Sequence, residues 1–128
     1  MEPDFENFPE FRFVEQDIDD SLKLQMLFAE LNRLERTIEI HGNPFIFVDD
    51  EEIRFSPEVG KERFEEHRGW LKHLVCRNSL ADQDSEGRLD NLRAVLGRIS
   101  QKGIHPYILL ILAQIVVISG IDTFCNGL

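Results

Sequence analysis

Cysteines and common catalytic motifs are both scarce in this sequence of 128 residues. Its two cysteines, Cys76 and Cys125, are too few and too far apart in sequence to indicate a disulfide framework, so we expect unpaired thiols in a reducing compartment. No phosphate-binding loop, dinucleotide-binding glycine motif, G-x-S-x-G elbow or H-E-x-x-H zinc motif occurs. The sequence therefore lacks the usual nucleotide, hydrolase and zinc-protease signatures, and we expect a protein that is not an enzyme and has no cofactor.

A secretory signal is also absent from the first ten residues, MEPDFENFPE, which have neither a basic region nor an apolar region. We therefore expect a cytoplasmic protein. With 42% hydrophobic residues, a chain of this length can bury a core without disulfides or metals. The sequence predicts a single domain, residues 1–128.

Basic residues are in the minority, since 14 Lys and Arg stand against 24 Asp and Glu, giving a net charge of −10. The acid excess lies in residues 1–66, which carry seven basic and nineteen acidic residues, a net charge of −12. Such a surface repels phosphate backbones and speeds encounter with a cationic partner. We therefore expect no direct nucleic-acid binding and a protein partner with a basic surface.

Three segments have apolar residues at three- and four-residue spacing, which is typical of amphipathic helices: residues 21–40, 57–77 and 89–99. A glycine follows the first segment, and a Ser-Pro pair lies at the start of the second. These residues are common at helix ends and helix starts, respectively. The sequence therefore predicts three amphipathic helices, each with one face toward a core.

Residues 106–121, PYILLILAQIVVISGI, could be a membrane anchor or the centre of the core. About fifteen residues can form a good helix here, and their length of about 22 Å falls short of the ~30 Å hydrocarbon layer. Gln114 lies in the middle, where an unpaired amide in lipid is costly. We therefore predict a buried central helix over residues 107–118 whose Gln114 has a hydrogen-bond partner. We expect no membrane contact, and a membrane-tethered scaffold is the alternative.

Strands are predicted in one place between the helices. Residues 45–48 and 53–55 are β-prone and flank four consecutive acids, which indicates a hairpin with an acidic tip. The expected fold class is therefore α+β and mostly helical, with about four helices around the apolar C-terminal helix and a small antiparallel hairpin. The four tip residues are candidate partner-binding residues: Asp49, Asp50, Glu51 and Glu52.

Residues 1–20 alternate acids with phenylalanines and form a possible N-terminal arm. Phe11 and Phe13 alternate as in an edge strand. Phe5 and Phe8 precede that strand, so we predict that they bury their rings in the partner, as aromatic anchors commonly do.

Arg68 and His73 have four residues between them on a predicted helix, in RGWLKH. This spacing resembles the R-x4-H motif of the HEPN ribonucleases, all-helical domains in which the Arg and His of two protomers meet and cleave RNA. The resemblance covers six residues and implies a ribonuclease that uses Arg68 and His73. His73 and Cys76 also have a spacing that could place two ligands on a metal, but a structural zinc site needs about four ligands, so we expect no metal.

The function that the sequence favours is protein binding through an acidic surface. Small inhibitors, immunity proteins and chaperones of this size and charge occupy basic grooves on their partners, and the analogy rests on size and charge alone. The rival hypotheses are the HEPN-like ribonuclease and the membrane-tethered scaffold.

Overall fold

A computed structural model of the chain describes residue 5 and residues 8–43, 56–76 and 87–126. Over these residues every regular element is helical: a 3₁₀ helix Pro9–Glu15, α1 (Asp20–His41), α2 (Pro57–Val75), α3 (Arg88–Ile99), α4 (Pro106–Ser119) and α5 (Ile121–Asn126). The described part has no strand, so the predicted α+β class is wrong and the described fold is all-α. The predicted hairpin, residues 45–55, lies outside the described residues.

The 3₁₀ helix replaces the predicted edge strand, and the spacing of its apolar residues explains the difference. A 3₁₀ helix has three residues per turn, so residues three apart share a face. Phe8, Phe11 and Val14 have this spacing, and Phe11 and Val14 are buried. The backbone N–H of Phe11 donates to the carbonyl of Phe8 at 3.0 Å, one such three-residue step. The alternation of Phe11 and Phe13 is therefore a misleading signal.

The C-terminal end of the 3₁₀ helix is fixed to α1 and α3 by cations. The Val14 carbonyl accepts hydrogen bonds from Lys23 Nζ at 3.0 Å and from Arg88 Nη1 at 3.3 Å. Arg88 also binds both carboxylate oxygens of Asp20, at 2.9 and 2.6 Å, which lowers the pKa of Asp20. Cations at the negative end of a helix are favourable. The 3₁₀ helix is thereby held against α1 and α3.

The apolar helix α4 lies at the centre, as predicted. Every residue from 108 to 118 is buried, and α4 packs against α1, α3, α5 and the 3₁₀ helix. A helix that is apolar on all sides needs neighbours on all sides, and the amphipathic helices supply them. Among the described residues, no helix combines the length and the apolar character needed to cross a membrane.

Helices α1 and α2 begin and end near the predicted residues because their capping residues act locally. Asp19 accepts from the backbone N–H of Ser21 at 2.8 Å, and Gly42 ends α1 in the left-handed conformation, with φ 76°. Ser56 Oγ accepts from the backbone N–H of Val59 at 3.3 Å and starts α2. The two helices run parallel, since contacts advance in the same direction along both.

The cysteines form a disulfide between the end of α2 and α5, with an S–S distance of 2.04 Å between Cys76 and Cys125. The prediction of unpaired thiols is therefore wrong, and the expectation of a reducing compartment loses its basis. The two residues are 49 positions apart in sequence, but α5 folds back from α4 toward the end of α2. The separation of the two cysteines in the sequence therefore does not predict that α5 lies beside the end of α2.

Candidate functional site

The structure places the predicted partner anchors Phe5 and Phe8 against the protein's own core. Phe5 is 8% exposed, and its ring meets that of Phe8 edge to face at 6.1 Å. The ring of Phe8 lies 5.7 Å from that of Tyr107 in α4. Neither ring is presented as an exposed anchor, because the three-residue spacing that buries Phe11 turns these rings inward too. The acidic tip, Asp49 to Glu52, lies outside the described residues.

Negative charge is unevenly distributed along the chain. The described residues carry fourteen Asp and Glu against twelve Lys and Arg, a net charge of −2. Residues 1–7, 44–55 and 77–86 together carry ten acids and two bases, a net charge of −8. The net charge of the described residues is therefore small, and most of the net negative charge lies in residues 1–7, 44–55 and 77–86.

Arg68 and His73 both lie on α2, and the described contacts of Arg68 are with other residues. Arg68 donates two hydrogen bonds to Glu65, at 2.7 and 3.0 Å, and they hold the pKa of Glu65 below its usual value. The same guanidinium lies over the rings of Phe64 and Phe124, 5.8 and 5.4 Å from their centres. Arg68 thus joins α2 to α5, whereas His73 is exposed on α2.

A metal site is not formed at the spacing of His73 and Cys76, because Cys76 is bonded to Cys125 and has no thiolate to offer. Over residues 5, 8–43, 56–76 and 87–126, no group of three or more His, Cys, Asp or Glu is arranged to hold a metal ion.

A cavity of about 240 Å³ lies between the 3₁₀ helix, α1 and α4. Part of its wall is apolar, formed by residues such as Phe13, Leu27 and Ile111, and Met26 is exposed at its edge. Its polar side chains come from all three elements: Glu10, Glu30, Tyr107 and Gln114.

Gln114 is the most buried polar residue of this cavity, with none of its surface exposed. Its Nε2 donates to the backbone carbonyl of Glu10 at 2.8 Å, which confirms the predicted hydrogen-bond partner. A carbonyl can only accept, so the nitrogen of the amide must face it and the orientation of the amide is fixed. The amide oxygen Oε1 is buried and has no hydrogen-bond partner within the described part of the chain.

Glu10 presents a second buried acceptor. Its carboxylate is hydrogen-bonded to the hydroxyl of Tyr107, and burial together with this carboxylate raises the pKa of Tyr107 well above its ordinary value. The other carboxylate oxygen, Oε2, is buried and accepts no hydrogen bond from any described residue. A buried polar atom without a hydrogen bond costs about 1–3 kcal/mol, so two such acceptors at one cavity favour a bound donor.

Glu30, the other acid at this cavity, is already paired. Its carboxylate accepts from Arg33 Nε at 3.1 Å and also from Arg33 Nη2. The pairing raises the pKa of Arg33, so the arginine stays charged and neutralises Glu30. Among the described residues that line the cavity, the uncompensated negative charge is therefore that of Glu10.

The sequence singled out Gln114 but not Glu10 or Tyr107. The signal for Gln114 is one amide in an apolar run, which must find a partner. Glu10 lies 104 residues from Gln114, and only the docking of the 3₁₀ helix brings them together. Comparisons with protein-family models, curated proteins and solved structures gave no match, so a function can be inferred only from the residues of the chain itself.

Proposed function

We propose that the protein is an acidic protein-binding module, of the inhibitor, immunity-protein or small-chaperone kind, that occupies a basic surface of a partner protein. The observation that carries this proposal is the division of charge along the sequence: residues 1–66 hold a net charge of −12, with four consecutive acids at residues 49–52, whereas residues 67–128 hold +2. Negative charge concentrated in this way steers a cationic surface toward the chain.

The described part of the chain contributes little long-range attraction. Many of its charges are engaged in pairs within the chain, such as Arg63 with Glu39 at 2.7 Å and Arg88 with Asp20 at 2.6 Å. Pairs of this kind are screened and weak at a distance. We therefore expect the four consecutive acids at residues 49–52 to attract a partner more strongly than these paired charges do.

Two charge-matched variants test this proposal. The first neutralises the predicted tip, with Asp49→Asn, Asp50→Asn, Glu51→Gln and Glu52→Gln. The control neutralises four exposed acids among the described residues, with Asp17→Asn, Glu58→Gln, Glu62→Gln and Glu66→Gln. Both variants lose four negative charges. A partner captured at low salt is identified, and its association rate with each variant is measured over a range of salt concentrations.

We expect association to slow with rising salt and to be slower for the tip variant than for the control, because four consecutive acids concentrate negative charge, which salt screens over a Debye length of about 8 Å at physiological ionic strength. Equal rates for the two variants, or a rate that does not depend on salt, would contradict the proposal. A partner with an acidic surface would contradict it as well.

The ribonuclease hypothesis leads to the opposite expectation. We expect the purified protein to cleave no RNA. His73→Ala is the cleaner variant because His73 is exposed, whereas Arg68 also holds Glu65 and the ring of Phe124. Cleavage that is lost in His73→Ala would replace the binding proposal with the enzymatic one.

A further inference from the structure

We propose that the cavity between the 3₁₀ helix, α1 and α4 binds a primary ammonium group, that of a lysine side chain on the partner protein. The proposal rests on the proposed function for the source of the lysine. The juxtaposition that carries it is Gln114 Oε1 and Glu10 Oε2, two buried acceptors without partners among the described residues, both on side chains that line one cavity.

The acceptors decide which ligands fit. Both atoms only accept hydrogen bonds, since the amide nitrogen of Gln114 is committed to the Glu10 carbonyl and the Glu10 side chain is a carboxylate. A ligand must therefore donate. Phosphates, carboxylates and other acceptor ligands would leave both atoms unsatisfied and would be repelled by Glu10.

The charge of the site favours a cation over a neutral donor. Glu30 is neutralised by Arg33, whereas the carboxylate of Glu10 is hydrogen-bonded to the neutral phenol of Tyr107. A hydrogen bond to a carboxylate is charge-assisted for any donor, and a cationic donor adds Coulomb attraction to the negative charge of Glu10. A cationic donor therefore gains more at this site than an alcohol or an amide of the same size.

The geometry favours ammonium over guanidinium. An arginine guanidinium is strongest when its planar fork meets both oxygens of one carboxylate. At Glu10 the Tyr107 hydroxyl already hydrogen-bonds the carboxylate, and Oε2 is the oxygen that no described residue satisfies. An ammonium carries three diverging donors, so it can satisfy separate acceptors on Glu10 and Gln114.

The size and walls of the cavity suit one side chain. Its volume of about 240 Å³ is below the range of ~300–1,000 Å³ typical of sites for drug-sized molecules. Phe13, Leu27 and Ile111 offer apolar contact to a four-carbon stem, which lysine buries readily while its charged end keeps polar partners. Met26 at the edge adds a flexible apolar contact.

Small probes test the cavity without the partner. The full chain is titrated with n-butylammonium, n-butylguanidinium and n-butanol, and binding is followed through the NMR signals of the Gln114 side-chain amide. Glu10→Gln removes the charge, and Glu15→Gln is the control because Glu15 is an exposed acid of the same 3₁₀ helix, paired with Arg12. Circular dichroism and the melting temperature verify that both variants fold.

We expect n-butylammonium to bind more tightly than the other two probes, and Glu10→Gln to weaken it by about tenfold or more while Glu15→Gln leaves it unchanged. Equal binding of n-butanol would show an apolar cavity, and the absence of binding by all three would show that water satisfies the acceptors. Tighter binding of n-butylguanidinium would favour arginine. Each of these three results would overturn the proposal.

The partner experiment separates the two proposals. If the salt-dependent partner is found but its dissociation rate is the same for Glu10→Gln and Glu15→Gln, the lysine proposal fails and the binding function stands. If n-butylammonium binds as expected but no basic partner is found, the function fails, and the claim that the lysine comes from a partner fails with it. An increase of about tenfold in the dissociation rate of Glu10→Gln alone would support both.

Discussion

Gly60 in α2 lies directly against the backbone of Phe28 in α1, so that an added Cβ atom would be 1.7 Å from the Phe28 carbonyl oxygen. Backbone atoms cannot move aside as a side-chain end can. Gly60→Ala must therefore push the two helices apart along their contact. We expect Gly60→Ala to lower the free energy of unfolding by about 1–3 kcal/mol, the usual range for overpacking. Urea denaturation measures this change.

Gly69 provides a matched control in the same helix, because an added Cβ there meets nothing within 4 Å among the described residues. Gly69→Ala should stabilise the protein by about 0.5–1 kcal/mol through the higher helix propensity of alanine. If Gly60→Ala stabilises the protein to the same extent, α1 and α2 do not lie in close contact at Gly60.

The disulfide gives the second prediction. Cys76 and Cys125, 49 positions apart, close a loop that contains α3 and α4, so the bond restricts the unfolded chain over a large part of its length. Replacing both cysteines with serine should lower the free energy of unfolding by about 2–4 kcal/mol, a typical value for a disulfide. The measurement is urea denaturation of the oxidised protein and of the variant.

A reducing agent supplies the control for this prediction. It should lower the denaturation midpoint of the native chain toward that of the double serine variant and leave the variant unchanged. A native chain that does not respond to reduction, together with thiols that react fully with a thiol reagent, would mean that the bond is not formed.

The features that were predicted correctly from the sequence are those set by interactions between residues close together in the sequence. The bounds of α1 and α2 are predictable because Asp19, Gly42 and Ser56 act on neighbouring backbone groups. The burial of α4 is predictable from its uniform apolar character. The 3₁₀ helix could not be predicted, because the same residues fit two patterns. Phe11 and Phe13 alternate as in a strand, whereas Phe8, Phe11 and Val14 have the three-residue spacing of a 3₁₀ helix. The tertiary contacts that decide between strand and helix are not visible in the local sequence pattern.

Two long-range pairings could not be predicted from the sequence. The disulfide and the Glu10–Gln114 contact join residues 49 and 104 positions apart, and neither leaves a local pattern. The acidic character of the first half, by contrast, can be read directly from the sequence.

The third prediction concerns His105, the residue that caps α4. Its Nδ1 accepts a hydrogen bond from the backbone N–H of Tyr107 at 3.1 Å, and burial lowers the pKa of His105 below its ordinary value of 6.5. A protonated imidazole cannot accept this bond. The unfolded state therefore binds more protons than the folded state as the pH falls past 6.5, and the free energy of unfolding should decrease from there down through the folded pKa.

His105→Asn keeps an N-cap acceptor that does not titrate, so it isolates the contribution of this residue from that of the other histidines. The variant should lose less stability than the native chain between pH ~7 and the acid limit of the transition, by about 1 kcal/mol, a typical N-cap contribution. Identical pH profiles for the two proteins, measured by urea denaturation, would rule out His105 as the titrating group.

The fourth prediction concerns the N-terminal arm, whose rings the structure packs against the core. Phe5 is 8% exposed and contacts Phe8, which in turn contacts Tyr107 beside the cavity. Truncating a buried phenylalanine to alanine costs about 3–5 kcal/mol when the site cannot collapse, and the cost is smaller for a half-buried ring. Phe5→Ala combined with Phe8→Ala should therefore lower the melting temperature clearly.

Leu22→Ala is the control for this last experiment, because Leu22 is a large apolar residue of α1 that is 47% exposed. Its truncation should change the free energy of unfolding by about 0.5 kcal/mol or less, since exposed residues contribute little. If the double Phe variant melts like Leu22→Ala and instead speeds dissociation from a partner, the rings act as partner anchors. A large loss of stability in the double variant alone would show that Phe5 and Phe8 are part of the protein's own core.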